Sequence, residues 1–169
     1  MSDVFVAILM GSDSDLPVME STMEVLKKLG VKTEMKITSA HRTPDATHAY
    51  VKDAEKRGCK VFICAAGLAA HLAGTVAGLT LKPVIGVPMG GGPLNGHDAL
   101  LSTVQMPGGV PVATVAIGKA GAKNAAYLAA QIIGLIDEQV ADSVVAERKD
   151  NAEQVKEKDR KLQERLSQA

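Results

Sequence analysis

Residues 4–15 read VFVAILMGSDSD, in which seven apolar residues run directly into a glycine and four small polar residues. A continuous apolar run predicts a strand that is covered on both faces, as in a parallel sheet. Further runs of this kind occupy residues 61–66, 84–87 and 112–117. Residues 32–38 alternate polar and apolar side chains instead, which predicts a strand at the edge of the sheet.

Helical patterns lie between these strands. In the first, apolar residues recur every three or four positions and Gly30 ends the helix; they are Leu16, Met19, Met23, Leu26 and Leu29. Further patterns cover residues 44–58, 69–79, 98–105 and 120–136. Strands that alternate with helices predict right-handed crossovers. We therefore expect an α/β fold of three αβα layers, with a central parallel sheet of the flavodoxin or Rossmann type.

The end of the chain changes in character. Residues 137–169 are highly charged and favour a helix, but their apolar stripe is thin: Val140, Val144, Val155, Leu162 and Leu166. This stripe is too narrow for us to expect packing onto the chain's own domain. An extended helix that is frayed and solvated fits the pattern, and so does an arm lying on a neighbouring subunit. We treat residues 1–169 as one domain, with 137–169 as its C-terminal helical arm.

Composition excludes several classes of function. Nineteen lysines and arginines balance nineteen aspartates and glutamates, so no basic surface indicates nucleic acid or an anionic membrane. No apolar run approaches the ~20 residues that span a bilayer, and no basic signal region precedes the first strand. We therefore expect a cytoplasmic protein. Cys59 and Cys64 have neither disulfide nor metal-site spacing, and Cys64 is expected to be a buried thiol.

The polar turn after the first strand has the features of a phosphate site. Gly11 permits a tight turn, and free N–H groups at a helix start, together with the Ser12 and Ser14 hydroxyls, can hold a phosphate. Asp15 can accept hydrogen bonds from ribose hydroxyls. A purely structural role also fits, because Ser14 or Asp15 can cap the helix.

A second polar turn, SAHRTP at residues 39–44, follows the edge strand. Arg42 can grip a phosphate with two parallel hydrogen bonds, and the imidazole of His41 gives and takes protons near neutral pH. Ser39 adds a hydroxyl, while Thr43 is predicted to be the N-cap of the next helix. A lone loop histidine is often incidental, so catalytic and incidental roles for His41 both remain open at this point.

Two more segments are expected in the same crevice, because strand ends in an open α/β sheet face a common cleft. His71 follows the strand at residues 61–66, where a capping or packing role is equally open. Residues 89–96 read MGGGPLNG, which fits a plain connector, a flexible lid or a pocket wall. His48 is expected to face solvent, and His97 is expected to have a structural or a surface role.

Known cofactor motifs are missing from the sequence. The glycine-rich string is not G-x-G-x-x-G and no Walker lysine follows it, which disfavours a dinucleotide or ATP site. No group of histidines, cysteines and carboxylates has the spacing of metal ligands. Metal binding and a classical dinucleotide or ATP site are therefore disfavoured.

The sequence resembles the N5-carboxyaminoimidazole ribonucleotide mutase family, bacterial-type enzymes of de novo purine biosynthesis. Six segments carry the resemblance, in the family's order: GSDSD at 11–15, SAHRTP at 39–44, AGLAAHLAG at 66–74, MGGGPLNGHD at 89–98, VQMPGGVPVATVAIG at 104–118 and AGAKNAAYLAAQI at 120–132. Together they cover nearly the whole chain before the charged C-terminal part.

The resemblance implies an isomerase that moves a carboxylate from N5 to C4 of a small-molecule aminoimidazole nucleotide without metal, ATP or organic cofactor. It implies that His41 is the general acid and base. The implied substrate-binding residues are Ser12, Asp15 and Arg42, to which we add Ser14, Ser39 and His71, the last as part of a wall around trapped CO2. It also implies a homo-octamer with sites at subunit interfaces, which favours an intersubunit arm.

Two alternatives differ in their sequence requirements. A second branch of the family carboxylates aminoimidazole ribonucleotide directly with CO2. It carries lysine-glycine where Arg42-Thr43 stand, and arginine-serine-asparagine at the positions of residues 68–70, so this sequence follows the mutase pattern. The other alternative is a flavodoxin-like electron carrier or a non-catalytic ligand-binding domain on the same fold, because a fold does not determine function. An electron carrier would need aromatic rings around a flavin, and none of the four aromatic residues lies in a crevice loop: Phe5, Tyr50, Phe62 and Tyr127.

Overall fold

The structure, a computed structural model, describes residues 4–168. Its centre is a parallel five-stranded sheet in the order β2-β1-β3-β4-β5. The strands are β1 (Phe5–Met10), β2 (Thr33–Ile37), β3 (Cys59–Ala66), β4 (Val84–Pro88) and β5 (Ala113–Thr114). The helices are α1 (Leu16–Lys28), α2 (Pro44–Arg57), α3 (Leu72–Ala77), α4 (His97–Val104), α5 (Lys119–Ile133) and α6 (Glu138–Ser167). The predicted α/β fold class, including the long C-terminal helix, is confirmed; residues 1–3 and 169 of the predicted domain lie outside the described residues.

Both faces of the sheet are covered, which explains the continuous apolar strands. Side chains alternate along β1, so Ile8 faces the core formed with α1 and α5, while Leu9 faces the core formed with α2 and α3. Cys59 and Cys64 are free and buried, as expected for Cys64. Burial raises the pKa of the Cys59 thiol to about 11 and raises that of the Cys64 thiol as well.

Three predicted elements are shorter in the structure. Strand β5 pairs with β4 only at Ala113 and Thr114, because the chain then turns toward α5. In that turn Gly121 lies very close to Ala116: a Cβ atom on Gly121 would lie 1.6 Å from the Ala116 carbonyl oxygen. Helix α3 starts at Leu72 rather than residue 69, since the Ala69 carbonyl accepts the His71 N–H at 2.9 Å in a tight three-residue turn instead of the N–H four residues on. Helix α5 ends at Ile133, three residues early, with Gly134 as its C-cap.

Helix α6 corrects one expectation about the charged C-terminal segment. Its first turns do pack on the chain's own domain, against α5, with Val140 buried. Glu147 is buried as well, accepts a 3.1 Å hydrogen bond from Tyr127 and pairs with Lys28 at 2.5 Å. These polar contacts supplement the thin apolar stripe that the sequence displays. Beyond residue 148 the helix is almost entirely exposed.

Among residues 4–168, no helix combines the length and the apolar character needed to cross a membrane.

Candidate active site

The turns after β1, β2, β3 and β4 surround one cavity of about 600 Å³ at the carboxyl edge of the sheet. All seven residues proposed from the sequence line it: Ser12, Ser14, Asp15, Ser39, His41, Arg42 and His71. The expectation that these turns share a crevice is confirmed. The chemical roles assigned to the individual side chains remain predictions.

The turn after β1 is held by its own serine. Gly11 donates its N–H to Ala65 of the neighbouring strand at 3.1 Å, and residues 13–15 form a single 3₁₀ turn before α1. Ser12 Oγ accepts hydrogen bonds from the backbone N–H and the hydroxyl of Ser14, at 3.2 and 2.9 Å. The capping alternative was therefore wrong in its residues: Ser12 caps the turn, whereas Asp15 occupies the N-cap position of α1 without a side-chain capping bond.

Asp15 places a largely buried carboxyl group at the cavity wall, with 9% of its surface exposed. Burial raises the pKa of the Asp15 carboxyl, since water no longer stabilises the charged form, and nearby Asp13 adds to this effect. A hydrogen bond from the Ser12 backbone opposes the shift. Such a carboxylate gains from ligand hydroxyls that donate hydrogen bonds to it.

The turn after β2 is fixed by a network of hydroxyl groups. Thr43 stands at the predicted N-cap of α2, but its hydroxyl spans the turn instead, accepting the Ser39 N–H at 2.9 Å. Ser39 Oγ in turn accepts the N–H of Arg42 at 3.1 Å. Below them, the buried hydroxyls of Thr38 and Thr47 lie 2.7 Å apart. No pattern in the sequence indicated this network, which holds the backbone that carries His41 and Arg42.

His41 and His71 meet across the cavity rim. Their Nε2 and Nδ1 atoms are 2.7 Å apart, and the rings are nearly perpendicular, at 89°. His71 stands at the N-cap of α3, yet its side chain makes no capping hydrogen bond. The capping alternative for His71 is therefore wrong, and its ring is directed to His41. No pattern in the sequence indicated this contact.

A serine on α4 supports the turn that carries His71. Ser102 Oγ accepts the Ala70 N–H at 3.0 Å and donates to the Asp98 carbonyl at 2.6 Å. Leu68, two residues before Ala70, has a φ of 54°, a left-handed conformation that is uncommon outside glycine. Ser102 was also missed, because it lies in an unremarkable helical stretch far along the chain from His71.

The glycine-rich segment forms a wall of the cavity, one of the alternatives left open by the sequence. Gly90, Gly91 and Gly92 line it, and Gly92 has a φ of 65°. A Cβ at Gly92 would lie 2.5 Å from Leu68 Cδ2, so this glycine lets the two turns approach closely. His48 and His97 are exposed and lie outside the cavity, as expected.

Charge is distributed unevenly around the cavity. Within residues 4–168 the exposed guanidinium of Arg42 makes no ion pair, so it is available to an anion, while Asp15 lies on the turn after β1. The described part of the chain contains no group of three histidines, cysteines or carboxylates that could hold a metal ion. The cavity therefore presents three kinds of group to one ligand: the Arg42 guanidinium for an anion, the Asp15 carboxyl that can accept hydrogen bonds from hydroxyl groups, and the His41 imidazole that can give and take a proton.

Comparison with known proteins gives this arrangement a family. Residues 5–154 match the model of the AIR carboxylase family. Relatives named N5-carboxyaminoimidazole ribonucleotide mutase include those of Pyrococcus horikoshii and Thermotoga maritima, each 52% identical over 94% of this chain and covering 89% and 92% of their own lengths. The Bacillus subtilis protein of that name is 54% identical over 88% of this chain and 91% of its own.

Solved structures agree with the sequence relatives. The crystal structures of a serine-to-aspartate variant of Treponema denticola PurE2 and of Treponema denticola PurE superpose with TM-scores of 0.87 and 0.85, at 35% identity. Each match covers 94% of this chain and 98% of the other. The chain belongs to the AIR carboxylase family.

Proposed function

We propose that this protein converts N5-carboxyaminoimidazole ribonucleotide to 4-carboxy-5-aminoimidazole ribonucleotide in de novo purine biosynthesis, acting as an isomerase in the cytoplasm. The main observation behind this assignment is that His41 lines the same cavity as Ser12, Asp15 and Arg42. Relatives that bear the mutase name share 52–54% of its residues over most of the chain.

The cavity suits a mononucleotide. Its volume of about 600 Å³ lies within the range usual for small-molecule sites. Arg42 supplies donors for the phosphate. The Ser12 and Ser14 hydroxyls donate within the turn, to Asp13 Oδ1 and Ser12 Oγ, and each would rotate to donate to the phosphate instead. Asp15 supplies an acceptor for the ribose hydroxyls. Ser39 acts chiefly through the backbone, because its hydroxyl accepts the Arg42 N–H and thereby shapes the turn.

The chemistry requires one group that both gives and takes a proton. As the bond between N5 and the carboxylate breaks, protonated His41 donates its proton to the leaving nitrogen, and CO2 is released inside the cavity. C4 of the aminoimidazole then attacks the CO2 carbon, and His41 removes the C4 proton as the ring regains aromaticity. The proton count on His41 returns to its starting value, so no other reactant is consumed.

Retention of CO2 depends on keeping water out. Residues 89–92 and the turn at residues 67–71 form adjoining walls, and Leu68 contacts the place where a Gly92 side chain would lie. A closed, dry site limits escape and hydration of the intermediate. We propose that these walls hold CO2 over the aminoimidazole between the two steps.

The alternative functions have less support. The direct carboxylation of aminoimidazole ribonucleotide would accompany lysine-glycine at the positions of Arg42 and Thr43, which this chain lacks. A flavin carrier would stack its ring on aromatic side chains, and Phe5, Tyr50 and Tyr127 are all absent from the cavity lining. The mutase is therefore the function that fits the site best.

Assembly forms part of the same proposal. We infer a homo-oligomer, an octamer by family resemblance, in which the exposed half of α6 is an arm on a neighbouring subunit. Val155, Leu162 and Leu166 are exposed on that half. Light scattering of the intact chain is expected to give several times 17.6 kDa. A clean monomer would overturn both the arm and the interface-built site.

A direct test uses N5-carboxyaminoimidazole ribonucleotide with EDTA and no ATP, following formation of the C4 carboxylate. We expect full turnover by the parent protein. His41→Asn should lower kcat by roughly 10²–10⁴-fold, the usual worth of a general acid or base, while His48→Asn serves as the matched surface control. A His41→Asn protein that keeps more than about a tenth of parental kcat would contradict the assigned role.

A further inference from the structure

The close contact between His41 and His71 has a chemical consequence beyond lining the cavity. We propose that His71 is a positioning residue that fixes which nitrogen of His41 exchanges protons with the substrate, an assignment that rests on the proposed function. The two rings share one hydrogen bond of 2.7 Å between His41 Nε2 and His71 Nδ1. Since one of these nitrogens must donate and the other accept, a single proton lies between them.

Tautomer energetics selects the direction of that hydrogen bond. If His41 Nε2 donates, both neutral rings carry their proton on Nε2, the form that free imidazole side chains prefer. If His71 Nδ1 donates, both rings must adopt the less favoured Nδ1–H form. The first arrangement is therefore the stable one, and it leaves His41 Nδ1 as the nitrogen available to a ligand.

This arrangement supports both halves of the reaction without turning the ring. When His41 is protonated, its Nδ1–H donates to the leaving nitrogen while Nε2–H stays bonded to His71. The ring is then neutral, and Nδ1 carries the lone pair that removes the C4 proton later. His71 keeps the same protons throughout, so it orients His41 and exchanges none with the substrate.

The surrounding fold holds His71 in place. Ala70, beside it, is tied to Ser102, and the His71 carbonyl accepts the Thr75 N–H at 2.9 Å. The imidazole of His71 is not needed for the fold, because it makes no capping bond to α3 and is exposed. A substitution at His71 therefore leaves the helix start intact and tests the ring alone.

The rings also come from different parts of the sheet. His41 lies on the turn after β2 and His71 on the turn after β3, with β1 between those strands in the sheet. Their hydrogen bond therefore joins two walls of the cavity over an intervening strand. Loss of the bond frees the His41 side chain, whose turn backbone remains held by Thr43 and Ser39.

The first measurement needs no substrate. Nitrogen and proton NMR of histidine-labelled, ligand-free protein at one neutral pH distinguishes the two tautomers of each ring, and His48 and His97 serve as internal references. In the parent protein we expect a nitrogen signal that reports one fixed Nε2–H tautomer of His41. His71→Ala should remove this signal and His48→Asn should retain it. An unchanged His41 spectrum in His71→Ala would overturn the inference.

The second measurement is kinetic. His71→Ala should lower kcat about tenfold or more while KM changes less than threefold, because orientation of the proton donor is lost and the contacts proposed for Ser12, Asp15 and Arg42 remain. His71→Asn, whose side-chain oxygen can accept the His41 proton, should recover part of kcat. Parental kcat in His71→Ala would contradict the positioning role. A parent protein that shows the NMR signal but does not convert N5-carboxyaminoimidazole ribonucleotide would refute the proposed function and leave the hydrogen bond standing.

Discussion

Replacing Thr47 with valine tests whether buried hydroxyls hold the turn that carries His41. Thr47 is fully buried; its hydroxyl donates to the Thr43 carbonyl at 3.1 Å and lies 2.7 Å from the Thr38 hydroxyl. Because the single Thr47 proton goes to Thr43, Thr38 must be the donor in the second bond. Valine keeps the shape of threonine and removes both contacts.

The expected cost follows from what is left without a partner. The Thr43 carbonyl still accepts the Thr47 backbone N–H at 3.0 Å, so it loses one of two bonds. The Thr38 hydroxyl, 4% exposed, loses its closest acceptor and keeps only a long 3.4 Å contact with the Thr43 hydroxyl, which leaves it poorly satisfied. A buried group left unsatisfied costs about 1–3 kcal/mol, which is the loss of unfolding free energy we expect for Thr47→Val. We also expect a lower kcat/KM, because the released turn carries both His41 and Arg42.

Urea unfolding at one fixed protein concentration measures the first effect, and turnover of N5-carboxyaminoimidazole ribonucleotide measures the second. The double variant Thr38→Val/Thr47→Val is the matched control, since it leaves no lone hydroxyl. Its destabilisation should be smaller than the sum of the single variants by about 1 kcal/mol. Single variants that add without coupling, or a Thr47→Val protein within about 0.5 kcal/mol of the parent, would refute the network.

Three further predictions concern the site and the core. Arg42→Lys keeps the charge but loses the planar guanidinium that can make two parallel hydrogen bonds, so KM should rise about tenfold or more. Inorganic phosphate should compete with substrate for binding to the parent protein. A normal KM in Arg42→Lys, together with no competition by phosphate, would show that Arg42 does not bind the substrate phosphate. Because burial raises the pKa of the Asp15 carboxyl, its ionised form destabilises the folded protein at neutral pH. Asp15→Asn should therefore unfold at a higher temperature than the parent at pH 7, while it loses substrate affinity. The gain in stability should vanish once the pH falls below the pKa of aspartate in the unfolded chain, about 3.9. An equal gain at all pH values would exclude that cause. With a pKa of about 11, Cys59 should resist alkylation at pH 8 until the protein unfolds, so fast labelling of native protein would contradict its burial.

Much of the fold followed from local patterns. The continuous apolar run before Gly11 required cover on both faces, and residues 32–38 alternated because β2 lies at an edge. Pro44 and Gly58 correctly predicted the ends of α2. Local pattern failed at β5, where the close approach of Gly121 to residue 116 is a contact between successive elements that no periodicity records.

The packing of α6 exceeded what its apolar stripe indicated. Val140 contributes an apolar contact, but Glu147 is buried because Lys28 and Tyr127 come from other helices to satisfy its carboxylate. A charged residue in a charged segment gives no sign of such partners. The sequence predicted a helix that does not pack on its own domain, and this holds only beyond residue 148.

For the candidate site, the residue types could be predicted from the sequence but the contacts among them could not. Its residue types were predictable because small polar turns after buried strands converge at one sheet edge. The contacts among those residues were not predictable. Ser102 is 32 residues from Ala70 along the chain, and the hydrogen bond between Thr38 and Thr47 depends on how α2 packs beside the end of β2. The His41–His71 hydrogen bond likewise depends on how the turns after β2 and β3 lie relative to each other in space, with β1 between the two strands.

The most direct test of the mutase assignment is the origin of the product's carboxylate. With N5-carboxyaminoimidazole ribonucleotide as substrate and ¹³C-labelled bicarbonate in the medium, early product should carry mostly unlabelled carboxylate, because CO2 released in the cavity is recaptured before it escapes. Transfer should proceed in EDTA without ATP. Two results together would contradict the assignment: early product whose carboxylate is fully ¹³C-labelled from the medium, and faster turnover of aminoimidazole ribonucleotide plus CO2 than of N5-carboxyaminoimidazole ribonucleotide. They would show that the protein is a direct carboxylase.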